Sequence, residues 1–113
     1  MKLPNLDRLW IPERKITAYL LSRTHKKGRF KAIFFEKFGF NAEKWAELAA
    51  AFKTHAEQND VKDYETTPLG IKYIVEGGLE TPDGRRPTVK AVWYIDSGGE
   101  NPRLITAFPG KKK

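Results

Sequence analysis

The chain has 113 residues, no cysteine and a net charge of +7, which points to one domain able to bury a core without disulfides and excludes thiolate metal sites and cysteine nucleophiles. No stretch approaches the roughly 18 apolar residues of a membrane span, and residues 1–5 lack the apolar run of a secretion signal, so the expectation is a cytoplasmic protein with no membrane partner. The charge is uneven. Residues 1–58 carry 12 Lys and Arg against 6 Asp and Glu, while residues 59–113 carry 9 against 8. Between Arg14 and Lys31 lie seven basic residues and no acid, a distribution that attracts RNA or another polyanion through its field and through counterion release.

In chain order, Pro12 suits the first turn of a helix running to about Ser22, with Ile16 and Leu20 four apart on its inner face. Gly28 breaks the chain after it. Phe30, Ile33, Phe34 and Phe38 then fall at helical spacing, and Gly39 supplies a stop. Asn41 caps a longer helix from Ala42 to about Gln58, whose Trp45, Leu48, Ala49, Phe52 and Ala56 form one apolar stripe. Beyond Asn59-Asp60 the period changes to two. Ile71, Tyr73 and Val75 alternate with their neighbours, as do Val89, Ala91, Trp93 and Ile95, and Pro82-Asp83-Gly84 and Gly98-Gly99 signal turns before a last strand over Arg103–Phe108. A fourth strand is expected at Val61–Thr66. The predicted fold class is α+β, with about three N-terminal helices packed on one side of a three- to four-stranded antiparallel meander. Residues 1–110 form the single domain and Lys111 to Lys113 a flexible basic tail.

Phosphate-loop, dinucleotide and HExxH motifs are absent, and two histidines thirty residues apart make a poor metal set; no metal and no cofactor are expected. What remains is acid/base chemistry beside cations. His55, at the margin of the apolar stripe, reads as structural. His25 precedes Gly28 in a loop leading into a helix whose N-terminal amides favour an anion, and Lys31, one turn in, adds a point charge to the same phosphate. Arg23, Lys26, Lys27 and Arg29 complete a nucleic-acid-binding patch; the bland alternative is a solvated basic face.

His25, Gly28-Arg29, Lys31-Ala32, Phe34-Phe35, Gly39-Phe40, His55 to Asn59, Leu69-Gly70, Val75-Glu76-Gly77, Pro82 to Arg85, Val92-Trp93 and Pro102 to Ala107 together resemble a toxin-associated family of small bacterial proteins classed only as a domain of unknown function. The chain departs from that pattern at Lys26, where Pro is usual, and at Phe108, where Tyr is usual. Helices followed by an antiparallel sheet also resemble, at the level of fold, the metal-independent ribonuclease toxins grouped around barnase, colicin D and RelE. That resemblance implies a base that takes the ribose 2′-hydroxyl proton, cations on the phosphate and an acid for the leaving oxygen. His25 is the expected base or acid, Lys31 and Arg103 hold the phosphate, and Thr106 donates a hydrogen bond. Arg103 and Thr106 are three apart on one strand, so both reach one site only through a bulge after Pro102. Trp93 is the candidate for stacking a base, against a core role suggested by Ala91 and Ile95. The implied partners are RNA and a cognate antitoxin or immunity protein. The rival reading is a non-catalytic nucleic-acid- or protein-binding adaptor of such a system; the +7 charge opposes an immunity protein that masks a nuclease.

Overall fold

The structure is a computed structural model that describes residues 1–110; the tail expected at residues 111–113 lies outside the described residues. Helices precede strands. α1, Glu13–Lys15, runs directly into a π-helical turn, Ile16–Leu20, in which the Leu21 amide reaches back five residues to the Ile16 carbonyl at 2.7 Å. α2 spans Arg29–Lys37 and ends at Gly39, whose φ of +104° suits glycine. The Asn41 side chain accepts the Lys44 amide at 3.0 Å, capping a 3₁₀ turn that leads into α3, Trp45–Gln58.

The four strands, β1 Val61–Thr67, β2 Gly70–Gly78, β3 Thr88–Asp96 and β4 Arg103–Pro109, pair antiparallel in the order β1-β2-β3-β4. The expected fold class and the fourth strand are both present. Register sets Val75 opposite Ala91 and Ala91 opposite Ala107, with Tyr73, Trp93 and Leu104 in the next row. All are buried, and they meet Ile16, Leu20, Phe35, Leu48 and Phe52 from the helices. The helices therefore cover one face of the sheet.

Two departures from regularity position the functional residues. Between Leu104 and Thr106, β4 carries one residue more than β3, so Leu104 and Ala107 both point into the core although they are three apart. The same bulge sets Arg103 opposite Tyr94 and Thr106 opposite Val92, two apart on β3 and hence on one side of the sheet. The second departure is at the free edge of β4. Trp10 bonds to it through the Pro102 carbonyl (2.8 Å) and the Leu104 amide (3.1 Å), so the chain that follows Trp10 is delivered to that edge.

His55 is structural, as its place on the apolar stripe indicates. It is 1% exposed, and its Nε2–H donates to the Val89 carbonyl (2.9 Å) and the Gly77 carbonyl (3.1 Å), tying α3 to β2 and β3. Burial holds its pKa below the ordinary histidine value against the opposing pull of those two carbonyls. Trp93 is also a core residue: it is 0% exposed, so its ring has no face open to a stacking base. This corrects the nucleic-acid role considered for it, and the physical reason is the alternation with Ala91, which turns both toward the helices.

Candidate functional site

Three residues from three distant parts of the chain converge where the helical layer meets β4. Lys31 Nζ, on the first turn of α2, donates to the Tyr19 phenol oxygen at 2.8 Å and to Thr106 Oγ1 on β4 at 3.1 Å. Tyr19 and Thr106 hydroxyls are themselves 2.9 Å apart, which closes a triangle of polar atoms. Lys15 and Lys31 place their ammonium groups 5.3 and 5.1 Å from the centre of the Tyr19 ring. The His25 ring meets the same ring edge-on, with centroids 4.9 Å apart. Of the expected catalytic set, His25, Lys31 and Thr106 are thus brought together, and Tyr19 is the residue that joins them.

Burial raises the Tyr19 pKa, but the hydrogen bonds from Lys31 and Thr106 and the charges of Lys31 and Lys15 outweigh it, leaving the phenol below its ordinary value near 10.0. A phenol whose pKa is lowered by an ammonium group bonded to it is suited to give up or share a proton. The π-helical turn is what presents it, since widening the helix by one residue re-aims the side chain, and such turns recur at functional sites. Gly28 completes the seat. A Cβ there would lie 2.0 Å from the Tyr19 carbonyl oxygen, so only glycine lets α2 begin this close to Tyr19.

The amides at the start of α2 are engaged differently from the sequence expectation. Lys27 and Gly28 both donate their amides to His25 Nδ1 at 3.0 Å, and the Arg29 amide donates to the His25 carbonyl at 2.9 Å. These donors therefore fix His25 in place of an anion. As an acceptor of two amides, Nδ1 carries no proton, so Nε2 holds it. The ring is exposed and borders a groove of about 380 Å³ shared with Arg14, Lys15, Ala18 and Tyr19.

The remaining basic residues divide. Arg23 is clasped by Glu36 through bonds of 2.7 to 3.2 Å, and Arg29 lies 4.9 Å from the Phe30 ring centre. Lys26, Lys27 and Arg14 are exposed and make no ion pair among the described residues. Arg103 stands apart. Its guanidinium donates twice to Asp96 at 3.2 Å and sits 5.3 Å from the Tyr94 ring centre, and no contact among the described residues joins it to His25 or Lys31. The bulge required of β4 is present; an ion pair across the β3–β4 loop takes the arginine instead.

Among the described residues no group of three or more His, Cys, Asp or Glu is placed to hold a metal ion, and no helix is long and apolar enough to cross a membrane. The fold and site define an α+β protein in which a basic helical layer closes over the edge strand of a four-stranded meander at a Lys–Tyr–Thr junction. Over residues 2–111 the sequence matches the family model described as Domain of unknown function (DUF6883), and the chain belongs to that family. No curated protein matches it. Among solved structures it is similar to a chain of a contact-dependent growth inhibition toxin–immunity protein complex from Klebsiella pneumoniae 342, at 19% identity and a TM-score of 0.69. The likeness covers 88% of this chain and 98% of that one, and at such identity it is a likeness of fold.

Proposed function

We propose that the chain is a metal-independent endoribonuclease of a toxin–immunity or toxin–antitoxin system, acting on cytoplasmic RNA. The observation that carries this reading is Lys31 Nζ, held between the hydroxyls of Tyr19 and Thr106 beside His25. The fold shared with a component of a toxin–immunity complex supports the setting.

In the proposed reaction the scissile phosphate sits against Lys31 and Lys15, which neutralise the charge that grows on its oxygens, and Thr106 donates a hydrogen bond. The ribose 2′-oxygen attacks phosphorus as its proton passes to the ionised Tyr19 phenol oxygen, whose ring His25, fixed by two amides at Nδ1, holds edge-on. The bond to the 5′-oxygen breaks as the Lys31 ammonium protonates it, leaving a 2′,3′-cyclic phosphate and a free 5′-hydroxyl, and the proton on Tyr19 then returns to Lys31 along their 2.8 Å hydrogen bond. Arg103, bound to Asp96, steadies the start of β4 in this scheme and does not touch phosphate. Lys26, Lys27 and Arg14 guide the strand by its backbone charge.

The test is incubation of the purified chain with total RNA in excess chelator, beside His25→Ala, Lys31→Met and Tyr19→Phe. Cleavage by the wild type that falls about a hundredfold or more in each variant is the expected result. RNA retained in a salt-sensitive manner without cleavage moves the chain to the adaptor reading. One observation favours a protein-binding version of that rival: Phe30 and Ile33 on α2 are 65% and 56% exposed.

A further inference from the structure

A second hollow, of about 440 Å³, lies between the C-terminal half of α2, the segment after the Pro82–Gly84 turn and the end of β4. Phe34, Phe38 and Pro109 form apolar walls, and Arg85, Arg86 and Thr88 line the rest. We propose that this hollow binds a nucleobase of the same RNA strand whose phosphate lies at Lys31; the proposal rests on the ribonuclease reading and adds its base-recognition subsite.

The argument begins with placement on α2. Lys31, Phe34 and Phe38 are spaced i, i+3 and i+7, which sets them along one face of the helix. The rise between Lys31 and Phe38 is about 10 Å. On β4, Thr106 and Pro109 follow the same direction, Thr106 meeting Lys31 and Pro109 lining the hollow. Phosphate site and hollow are therefore two stations along the seam where α2 meets the edge strand, a spacing that the next nucleotide of a strand spans.

The chemistry of the walls fits a base. Flat aromatic faces accept a π-system of any sequence, and guanidinium groups both stack on it and donate to its carbonyl and ring-nitrogen acceptors. Arg85 is already fixed for that purpose. Its guanidinium lies 4.4 Å from the Phe38 ring centre, donates to the Lys37 carbonyl at 2.6 Å and pairs with Asp83. Arg86 carries a φ of 50°, a left-handed backbone uncommon outside glycine, asparagine and aspartate. Among the described residues its side chain makes one hydrogen bond, of 3.4 Å to Gln58 Oε1, and packs beside the Gly78 backbone. Strain kept at a residue with so little folded-state return points to a ligand as its use. At the hollow Arg85 is paired with Asp83 and the Glu76 carboxylate stands beside Gly110, which leaves Arg86 as the cation that favours an anionic strand over a cationic occupant.

The experiment titrates the full chain with adenosine, guanosine, cytidine and uridine, uncharged probes that read the hollow without the phosphate site, and separately with inorganic phosphate, each followed by amide NMR. At least one nucleoside should give saturable shifts at Phe38, Arg85 and Thr88, while phosphate shifts Lys31 and Thr106. Arg86→Gly should weaken the nucleoside at least tenfold without lowering Tm, because glycine relieves the left-handed φ as it removes the guanidinium; Phe38→Leu should weaken it similarly. Absence of shifts in the hollow with all four nucleosides at millimolar concentration, or affinity unchanged in both variants, overturns the proposal. Nucleoside binding with no RNA cleavage would leave the hollow standing and remove the ribonuclease reading, and cleavage without nucleoside binding would do the reverse.

Discussion

Gly28→Ala adds one methyl group at the point where α2 begins against the π-helical turn. Its Cβ would lie 2.0 Å from the Tyr19 carbonyl oxygen, 2.9 Å from the carbonyl carbon and 3.1 Å from Cδ1 of the ring. Two of these atoms are backbone, so neither a rotamer change nor a flexible side chain can absorb the overlap. Restoring ordinary contact requires the two segments to part by about 1.4 Å. Such overpacking costs about 1–3 kcal/mol, and each kcal/mol lowers Tm by roughly 4 °C in a chain of this size. The larger effect falls on geometry, because the same separation pulls Lys31 Nζ off the Tyr19 and Thr106 oxygens it now holds at 2.8 and 3.1 Å. A misplacement of about 1 Å costs roughly a hundredfold in rate. RNA cleavage and thermal melting of Gly28→Ala measure both terms, with Gly84→Ala as the control. That second change meets nothing within 4 Å and bears only the strain of its φ of +79°, about 1–2 kcal/mol, so cleavage should survive it. A Gly28→Ala protein that stays folded and cleaves RNA at the wild-type rate would refute the claim that the close approach of α2 to Tyr19 builds the site.

Ultraviolet titration of the phenols should show Tyr19 ionising below the ordinary tyrosine value, and Lys31→Met should move it upward, since that change removes both a hydrogen bond and a charge that lower it; an unmoved curve would contradict the triangle. Acid stability should follow His55. Its folded pKa is depressed below 6.5, so the unfolded chain takes up the proton first; stability is flat above about pH 6.5 and falls by up to about 1.4 kcal/mol per unit below it, and a persistent slope in His55→Leu would assign that loss elsewhere. Arg103→Ala should lower stability by about 0.2–1 kcal/mol while leaving kcat/KM within about threefold, because its partner is the half-exposed Asp96 and not the phosphate; a hundredfold loss of activity would restore it to the site.

The fold was readable in the sequence where a single period dominates. In α3, Leu48, Ala49, Phe52 and Ala56 lie on one stripe, and all four are buried. The strands announce themselves by alternation, with Val89, Ala91 and Trp93 turned to the helices. The site was half readable. His25 and Lys31 stand out because they crowd round a glycine, and Thr106 because it shares a strand with Arg103. Tyr19 does not stand out, for two physical reasons. A π turn has no sequence period of its own, and the contact that gives Tyr19 its role spans 87 residues. The one local cue is Lys15, four residues earlier on the same helical face. The engagement of the α2 amides by His25 Nδ1 depends on the ring's orientation, which residue order alone does not carry. Arg103 is the reverse case: Asp96 faces it across the Gly98-Gly99 turn, and opposite charges flanking a predicted hairpin already hint at an ion pair.

The most direct test of phosphoryl chemistry at Lys31 is an oligodeoxynucleotide carrying a single ribose, incubated with the protein in chelator. Only the ribose can supply the attacking hydroxyl, so one cut immediately 3′ to it, with a cyclic phosphate on one fragment and a free 5′-hydroxyl on the other, is the predicted outcome, and Lys31→Met should leave the oligonucleotide whole. Equal, salt-sensitive retention of the ribose-containing and all-deoxy strands with neither cut would show that the cluster binds nucleic acid without acting on it.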